Sequence, residues 1–313
     1  MNRKNANKDV DYYQKLKLAD MNTKVSGIRG EPFVKFLKKL YFKWGKLSHR
    51  NIDRMVNSKT IHVFEVAFTS AAYNPKKNYE GFEFAGDGVL NSATSAYIRR
   101  RASFLYDEPE FVAYLGLIKS QLIGKEVLAK FSEKLGIEKY INSTAYERRP
   151  DRFPSVLEDV LEAWFGATSL IMQSICAPLC GVIANTIIEG LHDTYHGISR
   201  NYFDIVDPIS QVTIYHSKIG QKLDITFNKE QVAGRPVFTT KIVVKKLIGK
   251  GVSNVSKQIS KRLASLEIIK KLQKKDPSLF QPDNLFKSFV KKLNESPDDT
   301  LEDQALGIIE RLR

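Results

Sequence analysis

The sequence predicts an all-α domain followed by a smaller α+β domain whose elements run α-β-β-β-α. Three observations lead there. From about residue 32 to residue 196, apolar residues recur at helical spacing with no strand-like alternation. β-branched alternation appears only after residue 220, and a helical period flanks it on both sides. A chain of 313 residues, 42% of them apolar and 11% aromatic, carries enough apolar material for two cores and is not a disordered protein.

Residues 1–30 are polar and charged without a sustained period, and read as a flexible basic arm with a helical stretch near residues 9–20. They contain no apolar stretch of the secretory kind. The first strong helix starts at Pro32, a residue suited to a first turn. Phe33, Phe36, Leu37, Leu40, Tyr41 and Trp44 form its apolar stripe, Lys35, Lys38, Lys39 and Lys43 its outer face, and Gly45 ends it. Further helices are expected over Tyr79–Arg101, 111–135 and Pro154–Leu191, which completes a domain over 31–200. After Pro208 a short helix runs to Lys218. Strands are expected at Lys222–Asn228, Val237–Lys246 and up to Gly251, with a turn at Gly234-Arg235-Pro236. A closing helix from Ser256 to Gln273 would turn Ile259, Leu263, Leu266, Ile269 and Leu272 inward, giving a second domain over 207–274. Residues 275–313 form a C-terminal tail with a basic amphipathic turn or two at Phe286–Leu293 and no assigned role.

Charge narrows the partner. With 49 Lys and Arg against 35 Asp and Glu, the net charge is +14, which points to a polyanion such as nucleic acid or an acidic membrane surface. Residues 169–191 are apolar, but Gln173, Pro178, Asn185 and Glu189 interrupt them. That pattern fits a buried helix broken at Pro178 and not a membrane span. Cys176 and Cys180 stand alone, too few for zinc, and read as buried thiols in an intracellular, reducing compartment.

Within this basic chain, acids cluster twice. Glu80, Glu83 and Asp87 recur at i, i+3 and i+7, on one face of a helix, where like charges repel unless a cation sits between them. About seventy residues later, Asp159 and Glu162 form a second pair at i, i+3. Two such helices face to face would supply the oxygen ligands that Mg²⁺ takes.

The segment Glu80-Gly-Phe-Glu-Phe-Ala-Gly-Asp-Gly-Val-Leu90 resembles the ribonuclease III signature E-x-L-E-F-L-G-D-[AS]-[VIL]-L. Asp159-Val-Leu-Glu-Ala163 resembles that family's second acidic motif, D-x-x-E-A. The resemblance implies an all-α catalytic domain in which Glu83, Asp87, Asp159 and Glu162 are catalytic and bind Mg²⁺, with Mn²⁺ as a substitute and Glu80 in or near the shell. It further implies a homodimer, with Phe84 at the interface, that cuts both strands of a duplex and leaves 5′ phosphates, 3′ hydroxyls and short 3′ overhangs. Ser256-Lys-Gln-Ile-Ser-Lys-Arg-Leu-Ala-Ser265 resembles the S-K-K-x-A-K-x-x-A-A helix of double-stranded RNA-binding domains. That likeness implies duplex contacts from Lys257, Gln258 and Lys261, at a helix end whose dipole attracts phosphates.

Departures from these patterns are plain. Ala85 and Gly88 replace larger residues, which is expected to thin the packing near the acids. Ser70 stands where a His is usual, Glu158 where an Ala is, and Gln258 where a Lys is. The helix containing Ser210-Gln-Val-Thr-Ile-Tyr-His216 lacks the usual Gln and Glu that reach the minor groove. The leading function is an endoribonuclease acting on double-stranded RNA by two-metal chemistry, without a membrane. The alternatives are a catalytically silent duplex-binding protein and a mitochondrial ribosomal structural protein, which typically lack the acids.

Overall fold

A computed structural model describes residues 18–104, 108–220, 223–232, 235–275, 277 and 284–295. The chain divides into two compact units, one built on Ala19–Ile198 and the other on Ser199–Val290. The expected helix near residues 9–20, the Gly234 turn and most of the C-terminal tail fall wholly or partly outside the described residues.

In the first unit, α1 (Glu31–Lys43), α2 (His49–Met55) and α3 (Ile61–Ala67) lead to α4 (Glu80–Arg101). After a 3-10 turn at Pro109–Phe111 come α5 (Val112–Leu122), α6 (Lys125–Leu135), α7 (Phe153–Cys176) and α8 (Leu179–Tyr195). The expected start at Pro32 and the break at Pro178 are both present. The 111–135 run is two helices, parted at Ile123-Gly124.

α7 is the central element and packs against α2, α3, α4, α6 and α8. Its sequence explains why. Val156, Leu157, Val160, Leu161, Trp164, Phe165, Ala167, Ile171 and Met172 are all buried, an apolar surface too wide for a single contact face. α1 is tied to it by a closed polar ring. Trp164 Nε1 donates to Tyr41 Oη at 3.0 Å, Tyr41 to Thr168 Oγ1 at 2.6 Å, and Thr168 back to the Trp164 carbonyl at 2.6 Å. Every polar atom in that ring is paired, so burying it carries no penalty for unmade hydrogen bonds. At the far end of α4, Arg100 pairs with Glu189 of α8 at 3.3 Å and Tyr97 donates to Asp193 at 3.0 Å.

The α4–α7 contact is closer than ordinary helix packing. A Cβ on Gly86 would lie 1.8 Å from the carbonyl oxygen of Glu162, and one on Gly166 would lie 2.0 Å from that of Phe82. Backbone meets backbone at this crossing, and each glycine faces the helix that carries the other.

Two expectations for this unit are corrected. Residues 19–30 are not a free arm. β1 (Lys24–Val25) pairs antiparallel with β2 (Ser143–Thr144), Gly27 N donates to Asn142 Oδ1 at 2.8 Å, and Arg29 bonds the carbonyls of Tyr140 and Phe68. The domain is therefore not purely helical. Two-residue strands have no period to read, so the sequence could not show them.

The second unit holds α9 (Tyr202–Ile205), α10 (Pro208–Lys218), β3 (Asp224–Val232), β4 (Arg235–Val244), β5 (Leu247–Ser253) and α11 (Lys257–Lys275); α12 follows at Asn284–Glu295. The three expected strands form an antiparallel sheet in the order β3-β4-β5. Asp207 caps α10 through Ile209 N and Ser210 N. The core comprises Val212, Tyr215, Ile242, Val244, Ala264, Ile268, Ile269 and Leu272. Here the expected phase of α11 is corrected. Ile269 and Leu272 are buried, but Ile259, Leu263 and Leu266 are exposed, and Ser260, Ala264 and Ile268 take the inward row. The cause is close approach again. A Cβ at Gly251 would sit 1.9 Å from Ser260 O and one at Gly249 2.4 Å from Ala264 O, so the strand backbone lies directly against the helix at these two small residues.

The α4–α7 crossing generates one prediction. Gly166→Ala should cost about 3 kcal/mol or more, because backbone cannot yield as a flexible side chain can. Chemical denaturation of the two proteins checks this; a loss under about 0.5 kcal/mol would refute the crossing.

Candidate active site

The crossing places the acids. Asp87 follows Gly86 directly, and Glu162 lies one turn before Gly166, so both acid-bearing stretches meet where the helices are closest. Glu80, Glu83, Phe84, Asp87 and Glu162 line one open cleft. Asn91, one turn along α4, donates to both the backbone carbonyl and Oδ1 of Asp87 at 2.8 Å, which fixes that carboxylate. Asp159 does not line the cleft. It is half-buried behind it and accepts a hydrogen bond from the Tyr79 phenol at 2.9 Å.

Crowding shows in the protonation of these groups. Burial, then repulsion by Asp159, Glu80, Glu158 and Asp87, pushes the Glu83 carboxyl up to about 7. Burial, then repulsion by Glu158, Asp87, Glu83 and Asp159, pushes Glu162 up to about 8. Burial also raises Asp159, against the lowering effect of its bond from Tyr79. A set of carboxylates that resist ionising together is the signature of a site short of positive charge.

One cation is built in. Lys125, the first residue of α6, pairs with Glu158 Oε2 at 3.2 Å. Glu158, the acid standing where an alanine was expected, is thus held by a lysine from a neighbouring helix. Among the described residues, no three His, Cys, Asp or Glu side chains enclose a metal-ion position. The donor set nevertheless suits a hard divalent cation. It is all carboxylate oxygen, it opens to water, and its mutual repulsion is what such an ion relieves.

The other departures are accounted for in place. Ser70 is buried and donates to Glu147 Oε2 at 2.8 Å, and its Oγ accepts from Tyr73 N at 3.1 Å. Ala85 and Gly88 do not thin a core, since both are exposed on the same side of α4 as Phe84, and nothing lies within 4 Å of a Cβ built on Gly88. Phe84 itself is 87% exposed, the most exposed of the large apolar side chains. Lys257 and Gln258 are exposed at the start of α11, with the Lys257 ammonium 4.5 Å above the Phe227 ring; Lys261 is half-buried one turn on. Cys176 and Cys180 are free but half-buried, where full burial was expected, and Cys180 Sγ bonds Ser169 Oγ.

Four contributors were not read from the sequence: Tyr79, Lys125, Glu147 and Gly166. Gly166 alone left a trace, an isolated glycine inside an apolar helical run one turn after Glu162.

A family model described as the ribonuclease III domain matches residues 80–172, which hold both acid motifs and both crossing glycines. A protein of Invertebrate iridescent virus 6, provisionally named ribonuclease 3, is 29% identical over 175 residues, 56% of either chain. One of the same name from Frog virus 3 is 27% identical over 205 residues, 63% of this chain and 52% of the relative. The ribonuclease 3 of Mycoplasmopsis synoviae is 24% identical over 255 residues, 78% of this chain and 97% of the relative. This chain spans about half the length of the viral relatives it matches. The acid motifs, their glycine crossing and the segment similar to the ribonuclease III domain coincide within residues 80–172.

Proposed function

We propose that this chain is an endoribonuclease that hydrolyses the phosphodiesters of double-stranded RNA. The observation that carries the reading is the pair of acid-bearing helices locked at the Gly86–Gly166 crossing, with Glu83 and Glu162 too crowded to ionise freely. Glu83, Asp87, Asp159 and Glu162 would hold Mg²⁺ or Mn²⁺, with Glu80 at the rim. The bound ions supply an activated water, charge neutralisation at phosphorus and stabilisation of the leaving 3′ oxygen. The protein's own work is placement. Asn91 orients Asp87, Lys125 offsets the charge of Glu158, and the crossing keeps the two acid pairs within reach of one phosphate. Products carry 5′ phosphates and 3′ hydroxyls, with short 3′ overhangs.

The α10-β3-β4-β5-α11 unit has the element order of a double-stranded RNA-binding domain. On this reading Lys257, Gln258 and Lys261 contact phosphates across the duplex. One cleft per chain cuts one strand, so two chains are needed for both. The surface for that pairing is the exposed side of α4, where Phe84 stands beside Ala85 and Gly88, small enough for close approach. Free cysteines are in keeping with an intracellular, reducing compartment. Among the described residues no helix is long and apolar enough to cross a membrane. The silent and ribosomal alternatives are disfavoured because all four acids are retained.

Three outcomes follow from this reading. A long RNA duplex should be cut in Mg²⁺, left intact in EDTA, and cut at least about 100-fold more slowly by Glu162→Gln. Intact duplex under all three conditions, with binding preserved, would favour the silent alternative. Phe84→Asp should weaken self-association by about 2 kcal/mol or more, seen as a shift toward monomer in analytical ultracentrifugation; an unchanged distribution would remove Phe84 from the interface. The third concerns pH. Above the ordinary carboxyl value of 4.5, folded Glu83 and Glu162 keep protons that the unfolded chain has released. Their contribution to stability is full below about 4.5 and is lost as pH rises through 7 to 8. Melting temperature in EDTA should fall across that window, and Mg²⁺ should flatten the decline; identical profiles with and without Mg²⁺ would count against a cation between these acids.

A further inference from the structure

Tyr79 stands immediately before the acid helix, and its backbone is held on both sides. Its N–H donates to Thr69 O at 2.9 Å, and its carbonyl accepts from Glu83 N at 2.8 Å, which sets the first turn of α4. The side chain is 7% exposed, so the ring has one packed position. From there the phenol crosses from the start of α4 to α7 and donates to Asp159 Oδ2 at 2.9 Å.

The phenol bonds Asp159 and not Glu147. Besides Asp159, the carboxylates of Glu147 and Glu83 act on Tyr79 through their charge. Glu147 Oε2 accepts from Ser70 Oγ at 2.8 Å, Thr144 N at 2.8 Å and Thr144 Oγ1 at 3.1 Å. Glu147 is thus bonded on its own side, and Asp159 is the carboxylate that accepts from the phenol. The phenol cannot easily release its proton there. Burial first, then the charges of Asp159, Glu147 and Glu83, raise it far above the ordinary tyrosine value.

We propose that Tyr79 is a positioning residue for the cation site, holding one oxygen of Asp159 so that this carboxylate meets an arriving divalent cation in a single orientation. The proposal rests on the nuclease reading of the acids and adds to it a residue outside both acid motifs. Carboxylates that bind metal ions are in general oriented by such outer hydrogen bonds, and losing one typically weakens metal affinity about tenfold or more. An unbraced aspartate would have to surrender side-chain rotation on binding; a braced one has already done so. The bond also joins the two helices at the start of α4, where the glycine crossing does not reach.

The test is a double-mutant cycle read by Mn²⁺ affinity, measured by electron paramagnetic resonance of free Mn²⁺ on the full chain. Tyr79→Phe keeps the ring and removes one oxygen. It should weaken Mn²⁺ binding about tenfold in the wild-type background and in Asp87→Asn, and should change nothing further in Asp159→Asn. Wild-type affinity in Tyr79→Phe, or an equal loss in the Asp159→Asn background, would overturn the proposal while leaving the nuclease reading intact. A Tyr79→Phe chain unfolded in EDTA would also overturn it, by making the role structural. Absence of Mn²⁺ binding in the wild type would instead overturn the nuclease reading, and this inference with it.

Discussion

The approach of α4 to α7 at Gly86 and Gly166 is the constraint on which the site depends. Carboxylates repel, and helices bearing them on facing sides have no reason of their own to meet. Here they meet because each presents a glycine to the other's backbone, so that even a methyl group would collide with a carbonyl oxygen at about 2 Å. The apolar surface of α7, buried against five neighbouring helices, supplies the free energy that holds the crossing closed. The Tyr41–Trp164–Thr168 ring then fixes the orientation of α7 without leaving a polar atom unpaired.

Holding those acids close works against folding, and the chain shows where the conflict is relieved and where it is kept. Away from the cleft, charges are matched. Arg100 and Arg101 answer Glu189 and Asp193 between α4 and α8, and Lys125 answers Glu158. In the cleft, Glu83, Asp87 and Glu162 have no such partner among the ion pairs of the described residues, and two of the three hold their protons far above the usual range. The chain as a whole carries a net charge of +14, which favours a polyanionic partner, while the site is itself locally acidic. On the proposed reading, a divalent cation held by these carboxylates would reconcile the two.

Much of this was legible in the sequence. Acid spacing at i, i+3 and i+7 named the cleft residues because helical geometry makes such residues neighbours whatever the fold. Pro32 and Pro178 marked a start and a break because proline constrains backbone directly. What escaped reading depended on contacts between segments distant in the chain. Tyr79 looks like any aromatic before a helix until Asp159, eighty residues on, receives its proton. The phase of α11 differs from the expected one because aliphatic spacing favours Ile259, Leu263 and Leu266, while two glycines on β5 bring the strand against Ser260 and Ala264. Ala85 and Gly88 were expected to thin the packing near the acids, but both are exposed on α4.

The most direct measurement is anomalous X-ray diffraction from crystals of the protein equilibrated with Mn²⁺. The account predicts a peak between α4 and α7 with oxygens of Glu83, Asp87, Asp159 or Glu162 about 2.1 Å away. Crystals that diffract well and show the two helices crossed, but no Mn²⁺ between them, would contradict it.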